Sequence, residues 1–442
     1  MTNKILLILV MLSSTIGFSQ EEKSSFTLQE AIDYALENNQ QSKNATLDID
    51  AAKAQKWETT AAGLPQMGAT IDYINNIKQQ FSEPVDFDNN GFIDFGAKQS
   101  VNAQATINQL IFDGSYLVAL QASKVFLEIS KNAKEKTNLE VRKAVINAYG
   151  NVLLTKESIL ILEKNINILE KNLNDVTKIY ENGLEEEESV EQLIITLSGV
   201  KSNLNNVNRL KVVGYKMLNI AMGKDVNAPI IATDNLDTLA EKNISINLLD
   251  ASDDVKNTID FKIADNDKRS KELLVKLEKS KALPTVGAFI NGSYLGNSQK
   301  FTFLNNNQQW LGTANFGARI TIPIFGFGLQ SSRTQRVKIN LDIAKNNLTE
   351  TEQQLKLQIA VAKSDYQFAI EDYGNKKENL KLAERIEKKN QTKFFEGIGS
   401  SFELRQAQTQ LYQTQNELLQ TMLDVITKKA NLETVLNTVL QN

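Results

Sequence analysis

The sequence predicts a mainly α-helical protein with a membrane β-barrel, built from a duplicated strand–strand–long helix–return helix unit. Three observations carry this prediction. The stretch from Ser115 to Glu181 has no proline and a single glycine, Gly150. Shorter stretches switch from a helical period to a period of two. The whole order of elements then recurs within the 442 residues.

The long stretch is the strongest signal. From Val141 its apolar positions step by four and three: Val141, Val145, Ala148, Val152, Thr155, Ile159, Leu162, Ile166, Leu169, Leu173, Val176 and Tyr180, with Thr155 the one polar member. A period of 3.5 marks a helix wound against other helices rather than laid on a globular core. At ~1.5 Å per residue the helix is on the order of 100 Å long, against roughly 8–20 residues for globular helices. Asn172 lies off this stripe and is expected to tolerate a charge there.

Composition narrows the function. A net charge of −4 leaves no electrostatic footprint for nucleic acid. Histidine and cysteine are both absent from the sequence. That removes Ser-His-Asp and Cys-His catalysis, thiolate metal sites and disulfides together. No catalytic residue, cofactor or metal site is expected, and the chain is read as a non-enzyme. Lys4, the apolar run Ile5–Leu12 and the small residues of Gly17-Phe18-Ser19 read as an export signal over residues 1–19, cleaved before Gln20. No later apolar stretch approaches the ~20 residues of a membrane helix, so any crossing falls to β-strands.

In order, Thr27-Leu28-Gln29-Glu30 fits a capping box and starts a helix running to Asn38-Asn39. A second helix, about 42–62, is stopped by Leu64-Pro65. Strands follow at about 67–76 and 100–112, where Val101, Ala103, Ala105 and Ile107 alternate with Asn102, Gln104, Thr106 and Asn108. The loop Lys78–Lys98 separates them. A hairpin over 115–222 turns at Asn182-Gly183, a helix stop, and returns on Val190, Leu193, Leu197, Val200, Leu204 and Val207. These elements make a first repeat, 20–230. A second repeat, 231–442, holds a helix, strands at about 286–295 and 313–325, and a hairpin over 335–440. Four anchors support the duplication. Leu64-Pro65 recurs as Leu283-Pro284, Ile111-Phe112 as Ile324-Phe325, Leu127–Lys131 as Leu341–Lys345, and Gly183 as Gly397, at offsets of 213 to 219.

The strands are near the ~9–11 residues that cross a membrane, with one apolar and one polar face. Trp310 and Tyr294 fall at or near strand ends, where interface aromatics are expected. Four strands cannot close a barrel, and open edges in lipid leave polar groups that each cost several kcal/mol. Copies must therefore assemble. Two give eight strands and a filled interior; three give twelve and room for a lumen.

With the duplication, the Leu-Pro before each outward strand and the Ile-Phe-Asp-Gly at 111–114, the turns Tyr180–Leu184 and Phe395–Gly399 complete a pattern. Together these features resemble the TolC-like outer membrane efflux proteins over nearly the whole exported chain. The resemblance implies a homotrimer with a 12-stranded β-barrel in outer membrane lipid and a long α-helical barrel projecting into the periplasm. It also implies helical tips that dock to a periplasmic adaptor (membrane fusion) protein and an inner-membrane pump. The implied role is a passive exit duct of a tripartite efflux or type I secretion system, for small molecules or proteins. A chain without cysteine departs from the family's lipid-anchored branch.

The tips carry the candidate site residues. Gly183, Gly397 and Gly399 mark the two turns. Glu185-Glu186-Glu187-Glu188 follows the first. It reads either as a solvated run of acids at a helix N-terminus or as a carboxylate ring at a pore entrance repeated by assembly. The resemblance places entrance acids near both tips. Glu403 matches such an acid at the second, while Ser189 stands at the matching first-tip position and Gly399 where a basic partner is expected. Asp86–Asp94 resembles the first nine positions of a calcium loop, but position twelve is Ala97 and the bidentate glutamate is missing. An exposed Asn-Gly turn accounts for the same residues. Arg319 falls on the polar face of its strand. A secreted coiled-coil protein, either a periplasmic adaptor or a surface structural protein, is the competing reading. An adaptor typically has one hairpin between compact β-domains; this chain has two.

Overall fold

The computed structural model describes residues 24–78 and 97–438. The expected export signal, 1–19, and the calcium-loop-like run Asp86–Asp94 lie outside the described residues. The elements are β1 (Ser25–Phe26), α1 (Leu28–Asn38), α2 (Gln40–Ala61), β2 (Gln66–Asn75), β3 (Gln99–Phe112), α3 (Gly114–Glu181), α4 (Glu187–Met222), β4 (Ile231–Ala232), α5 (Leu236–Lys242), α6 (Ile259–Ser280), β5 (Thr285–Ser298), β6 (Trp310–Thr321), α7 (Leu329–Phe395) and α8 (Ser401–Leu436). No described helix is long and apolar enough to cross a membrane.

Several boundaries differ from expectation by a few residues: β5 runs on to Ser298, β6 begins at Trp310 and α7 begins at Leu329. Two others have a plain local reason. Strand β6 stops at Thr321 rather than Phe325. Pro323 follows, which has no N–H for a ladder and restricts Ile322 before it. Helix α8 ends at Leu436 rather than near 440, because Asn437 adopts a left-handed cap at φ 55°.

Two compact units are drawn from the chain, and each takes residues from both sequence repeats. One comprises Ala45–Glu135 and Val255–Leu355. It holds a four-stranded sheet in the order β2-β3-β5-β6, every neighbour antiparallel. The register sorts the side chains into rows. Met67, Ile107, Ile290 and Phe316 stand side by side, as do Ala69, Ala105, Gly292 and Ala314. Between these rows run polar ones: Gly68, Thr106, Asn291 and Asn315, then Thr70, Gln104, Ser293 and Thr313. Side chains alternate faces along a strand, so one face is apolar and the other mainly polar. The apolar face is uncovered where it is most apolar: Met67 is 76% exposed, Ile71 77% and Phe316 88%. Arg319 shares the polar face and lies 5.7 Å from the Phe289 ring.

At the β5–β6 end the apolar face finishes in aromatics. Phe301 packs edge-on against Tyr73 and Phe303, and Trp310 lies 6.3 Å from Phe303. Trp310 pairs with Gly296 across the strands, and a Cβ on that glycine would stand 3.0 Å from the indole.

The other unit is drawn from Met1–Asn44, Lys136–Asp254 and Lys356–Asn442. Its core lies between the hairpin α3–α4 and the hairpin α7–α8. Ile166, Leu169 and Leu197 form one buried cluster, joined by Leu173, Leu193, Val200, Leu204 and Tyr412. The α3 stripe is buried as expected at Val141, Val145, Val152, Ile159, Leu162 and Val176. A second line beside it is buried too: Ile146, Tyr149, Leu153, Asn165 and Asn172. Asn172 is only 1% exposed, so the expectation that it tolerates a charge is corrected. A helix packed on two partners buries a wider face than the seam toward one of them.

Buried tyrosines tie the short connectors to the long helices. The Tyr149 hydroxyl lies 2.9 Å from the Phe26 carbonyl and 2.8 Å from the Asp234 carboxylate, which also accepts from the Leu28 N–H. Tyr366 donates to the Asn243 carbonyl and accepts from the Ser245 N–H. Burial pushes both hydroxyls well above the ordinary tyrosine range.

Candidate functional site

Both hairpin turns use one backbone solution. Gly183 and Gly397 each adopt φ 73°, a left-handed conformation that glycine takes without strain. The Gly183 N–H bonds the Tyr180 carbonyl, and the Leu184 N–H bonds Ile179. The Gly397 N–H bonds Phe394, and the Ile398 N–H bonds Lys393. Each pair is the Schellman arrangement that ends a helix. In both, the next residue is apolar and exposed: Leu184 at 78% and Ile398 at 73%. Gly399 is needed for a different reason. Its N–H bonds the Lys393 carbonyl, and an added Cβ would stand 3.0 Å from the Lys393 Cβ.

The acids differ in what they do locally. Glu185 is half-buried and accepts from the Ser189 hydroxyl at 2.6 Å. The Ser189 Oγ lies 2.9 Å from the Ser401 Oγ on the other hairpin. Glu185 is therefore the member of the run that connects, through two serines, to the second turn. Glu186 is the N-cap of α4 without a side-chain cap bond, and Glu187 and Glu188 occupy its first turn. All three are exposed. The free N–H groups of that turn carry partial positive charge and accommodate them. Glu188 also accepts from Gln192 at 2.6 Å. Glu403 closes a capping box on α8: its N–H donates to the Ser400 Oγ, and its carboxylate accepts from the Ser400 N–H at 3.4 Å. Ser400-x-x-Glu403 carries this signal in the sequence.

Behind the turns, Val176, Phe394 and Leu404 form a buried cluster with Val190 and Leu193 against it. Beyond it comes a polar layer that the apolar stripes do not announce. Asn165 donates to Gln415 at 2.9 Å, and Gln391 donates to Asn172 at 3.2 Å. Burial raises the Glu387 carboxyl above the usual carboxylate range, and the Gln408 amide partly opposes that shift. Burial and the Glu387 charge raise the Tyr412 hydroxyl.

Further along the same unit, Arg142 and Glu433 pair at 2.6 Å, with Lys429 3.7 Å from the same carboxylate. Lys429 and Glu433 are each 2% exposed. Burial lowers the Lys429 ammonium below the ordinary lysine range despite Glu433. This is a buried ion cluster, and its Arg142 and Glu433 also line a cavity of about 580 Å³ together with Ile32, Asp234, Lys242 and Asn243. Among the described residues no group of three or more acidic side chains is placed to hold a metal ion.

A four-stranded amphipathic sheet whose two edges are unpaired among the described residues, carried by the same chain as two long helical hairpins, defines the protomer class of outer membrane channels. The chain belongs to the outer membrane efflux protein family, whose model matches residues 31–223 and 257–438. Its fold is similar to that of the outer membrane protein VceC from Vibrio cholerae, at 15% identity and a TM-score of 0.75 over 94% of this chain and 97% of that one. CusC matches at 17% identity and a TM-score of 0.77, over 96% of each chain. The CmeC outer membrane channel of Campylobacter jejuni matches at 17% identity and a TM-score of 0.73, over 96% of this chain and 90% of that one. No curated protein matches in a sequence search. The family consists of outer membrane efflux channels, trimeric and working with adaptor and pump partners. The reading as an adaptor or surface fibre is not supported.

Proposed function

We propose that the chain is one third of a passive exit duct: a homotrimer whose strands close a 12-stranded barrel in outer membrane lipid and whose hairpins form the periplasmic entrance. The observation that carries this reading is the sheet. Among the described residues its β2 and β6 edges are unpaired, and its apolar rows stand uncovered. In water such a surface promotes aggregation; in lipid it needs only its edges closed. All neighbours are antiparallel and the strand number is even, so β6 of one copy meets β2 of the next antiparallel.

The hairpins support the same reading. Leu210, Val213, Met217 and Ile220 form an exposed stripe at three-four spacing on α4. Leu357, Val361, Phe368, Leu382 and Ile386 on α7 are exposed too, at steps of four, seven and fourteen that keep them near one face. These seams suit neighbouring copies. The duct performs no chemistry, and its cargo is small molecules or proteins moved by an inner-membrane pump. The tips, with Leu184, Ile398 and Glu185–Glu188, meet the periplasmic adaptor. Native mass measurement of detergent-extracted protein tests the assembly. Three chains and conductance in planar bilayers are expected; a folded, non-conducting monomer overturns the reading.

A further inference from the structure

Near the end of the sheet away from the long helices, one row on the apolar face is large at its edges and small in the middle. Tyr73, Val101, Gly296 and Trp310 stand side by side there. Neighbouring strands lie about 4.8 Å apart, so the two edge positions are about 14 Å apart. Phe303 fills the trough between them. Its ring is 6.1 Å from Tyr73 and 6.3 Å from Trp310, and the residue is only 8% exposed. The connection 299–309 therefore does not simply continue the strands outward. It folds back over the apolar face, across β5 and β3 as far as β2.

Side-chain bonds at the base of the connection hold it there. The Thr302 hydroxyl lies 2.6 Å from the Gln308 amide oxygen, and the Gln308 amide donates to the Asn297 carbonyl at 3.3 Å. Its outward side chains are apolar as well, with Phe301 59% and Leu304 86% exposed.

Three lysines stand over this aromatic shelf. Asn75, Gln99 and Ser298 share the final paired row, and Lys78, Lys98 and Lys300 follow one to three residues beyond it. All three are exposed. The described strands and their connections, 66–78, 97–112 and 285–321, hold a single acid, Asp72, on the opposite face. The connection 79–96, outside the described residues, carries Glu83, Asp86, Asp88 and Asp94 in its sequence, so lipid preference has to be read on the whole chain. Aromatic rings below a row of lysines suit the boundary between acyl chains and anionic headgroups.

We propose that the connection 299–309 is a lipid anchor on the outside of the barrel that selects a lipid with a phosphate-bearing headgroup. Phe301, Leu304 and Trp310 meet the acyl chains, and Lys78, Lys98 and Lys300 meet the phosphate. This rests on the reading of the apolar face as the one turned to lipid. It also takes this connection away from the lumen, where an exit loop would sit.

Trp310 is its own reporter. The chain has two tryptophans, and Trp57→Phe leaves Trp310 alone. The assembled protein is placed in vesicles of equal parts phosphatidylcholine and phosphatidylglycerol, with one or the other carrying brominated chains that quench tryptophan on contact. Both lipids should quench Trp310, with phosphatidylglycerol enriched roughly fivefold or more beside it. Added salt should erode that preference. Changing Lys78, Lys98 and Lys300 together to Gln should abolish the preference and leave quenching by phosphatidylcholine in place. Equal quenching by both lipids in the parent, or a preference that survives the triple variant, overturns the proposal. So does a Trp310 reached by aqueous iodide and by neither brominated lipid. Conductance of the same preparation is recorded separately. A preparation that never conducts defeats the duct reading, while the quenching still decides the anchor.

Discussion

Leu169→Ala is the sharpest probe of the seam between the hairpins. Leu169 is fully buried with Ile166 and Leu197, and five further side chains close over them. The substitution removes three carbons from that site. At about 0.8 kcal/mol per buried carbon the lost transfer energy is about 2.4 kcal/mol. The cavity left between long helices that cannot collapse locally raises the total to roughly 3–5 kcal/mol per chain. In a trimer that dissociates as a unit, each assembly suffers the loss three times. Leu160→Ala is the control, because Leu160 is on the same helix but 59% exposed; it should change stability by roughly 0.5 kcal/mol or less. Both variants are purified in detergent, heated in steps and scored for surviving trimer. Leu169→Ala should melt well below Leu160→Ala. Equal melting would refute the assignment of Leu169 to a closed seam, and with it the two-sided packing of α3.

Further outcomes are expected at other levels of the structure. Asn172→Asp should destabilise the assembly clearly more than Asn174→Asp, since Asn174 is exposed and Asn172 is buried; heat resistance of the two trimers compares them. Phe316→Arg, on the uncovered apolar row, should cost roughly 2–4 kcal/mol at the bilayer midplane and reduce membrane-inserted trimer, whereas Asn315→Arg on the other face should assemble. Glu186→Gln with Glu187→Gln should lower cation selectivity in planar bilayers at unchanged trimer yield, and unchanged selectivity would leave these acids as a solvated turn. Glu387 has a raised folded-state pKa, so its ionised form is a burden that is present at neutral pH and relieved as the pH falls toward 4.5. Glu387→Gln should therefore raise the melting temperature near pH 7.5, with the gain vanishing by about pH 4; a gain that grows toward acid would contradict the burial.

Much of the fold was legible because long-range order here is written locally. The stripe from Val141 to Tyr180 has one period, and α3 spans Gly114–Glu181 with a return helix to Met222. Period-two alternation located the strands, and their register then kept Val101, Ala103, Ala105 and Ile107 on one face. The end of β6 was also written, in Ile322-Pro323, but the apolar alternation through Phe325 masks it. Asn165 and Asn172 were not legible. A heptad stripe names only the seam toward one partner, and α3 packs on more than one helix. Tyr149 was missed for the same reason, since it faces a connector and not the seam. At the tips the glycines were readable from their αL requirement. The serine bridge from Ser189 to Ser401 was not, because the two serines, 212 positions apart, become adjacent only after both hairpins fold.

The two turns show where duplication stopped constraining the sequence. Their backbones are the same: glycine at φ 73°, an exposed apolar residue after it, and a return helix within a few residues. Their charges are not. Residues 175–195 hold seven acids and one base, whereas the corresponding residues 389–409 hold two acids and three bases. Backbone identity is what a shared helix-stop geometry requires; nothing in that geometry requires the acids. Charge at an exposed turn is set instead by what the turn meets. Three copies would present six turns of similar shape but alternating charge, so a docking ring of identical subunits would find two kinds of seat. Its hold on the acidic seats should weaken with salt within a Debye length of about 8–10 Å, while its hold on the others, led by Ile398 and Phe402, should depend on apolar burial and scarcely respond.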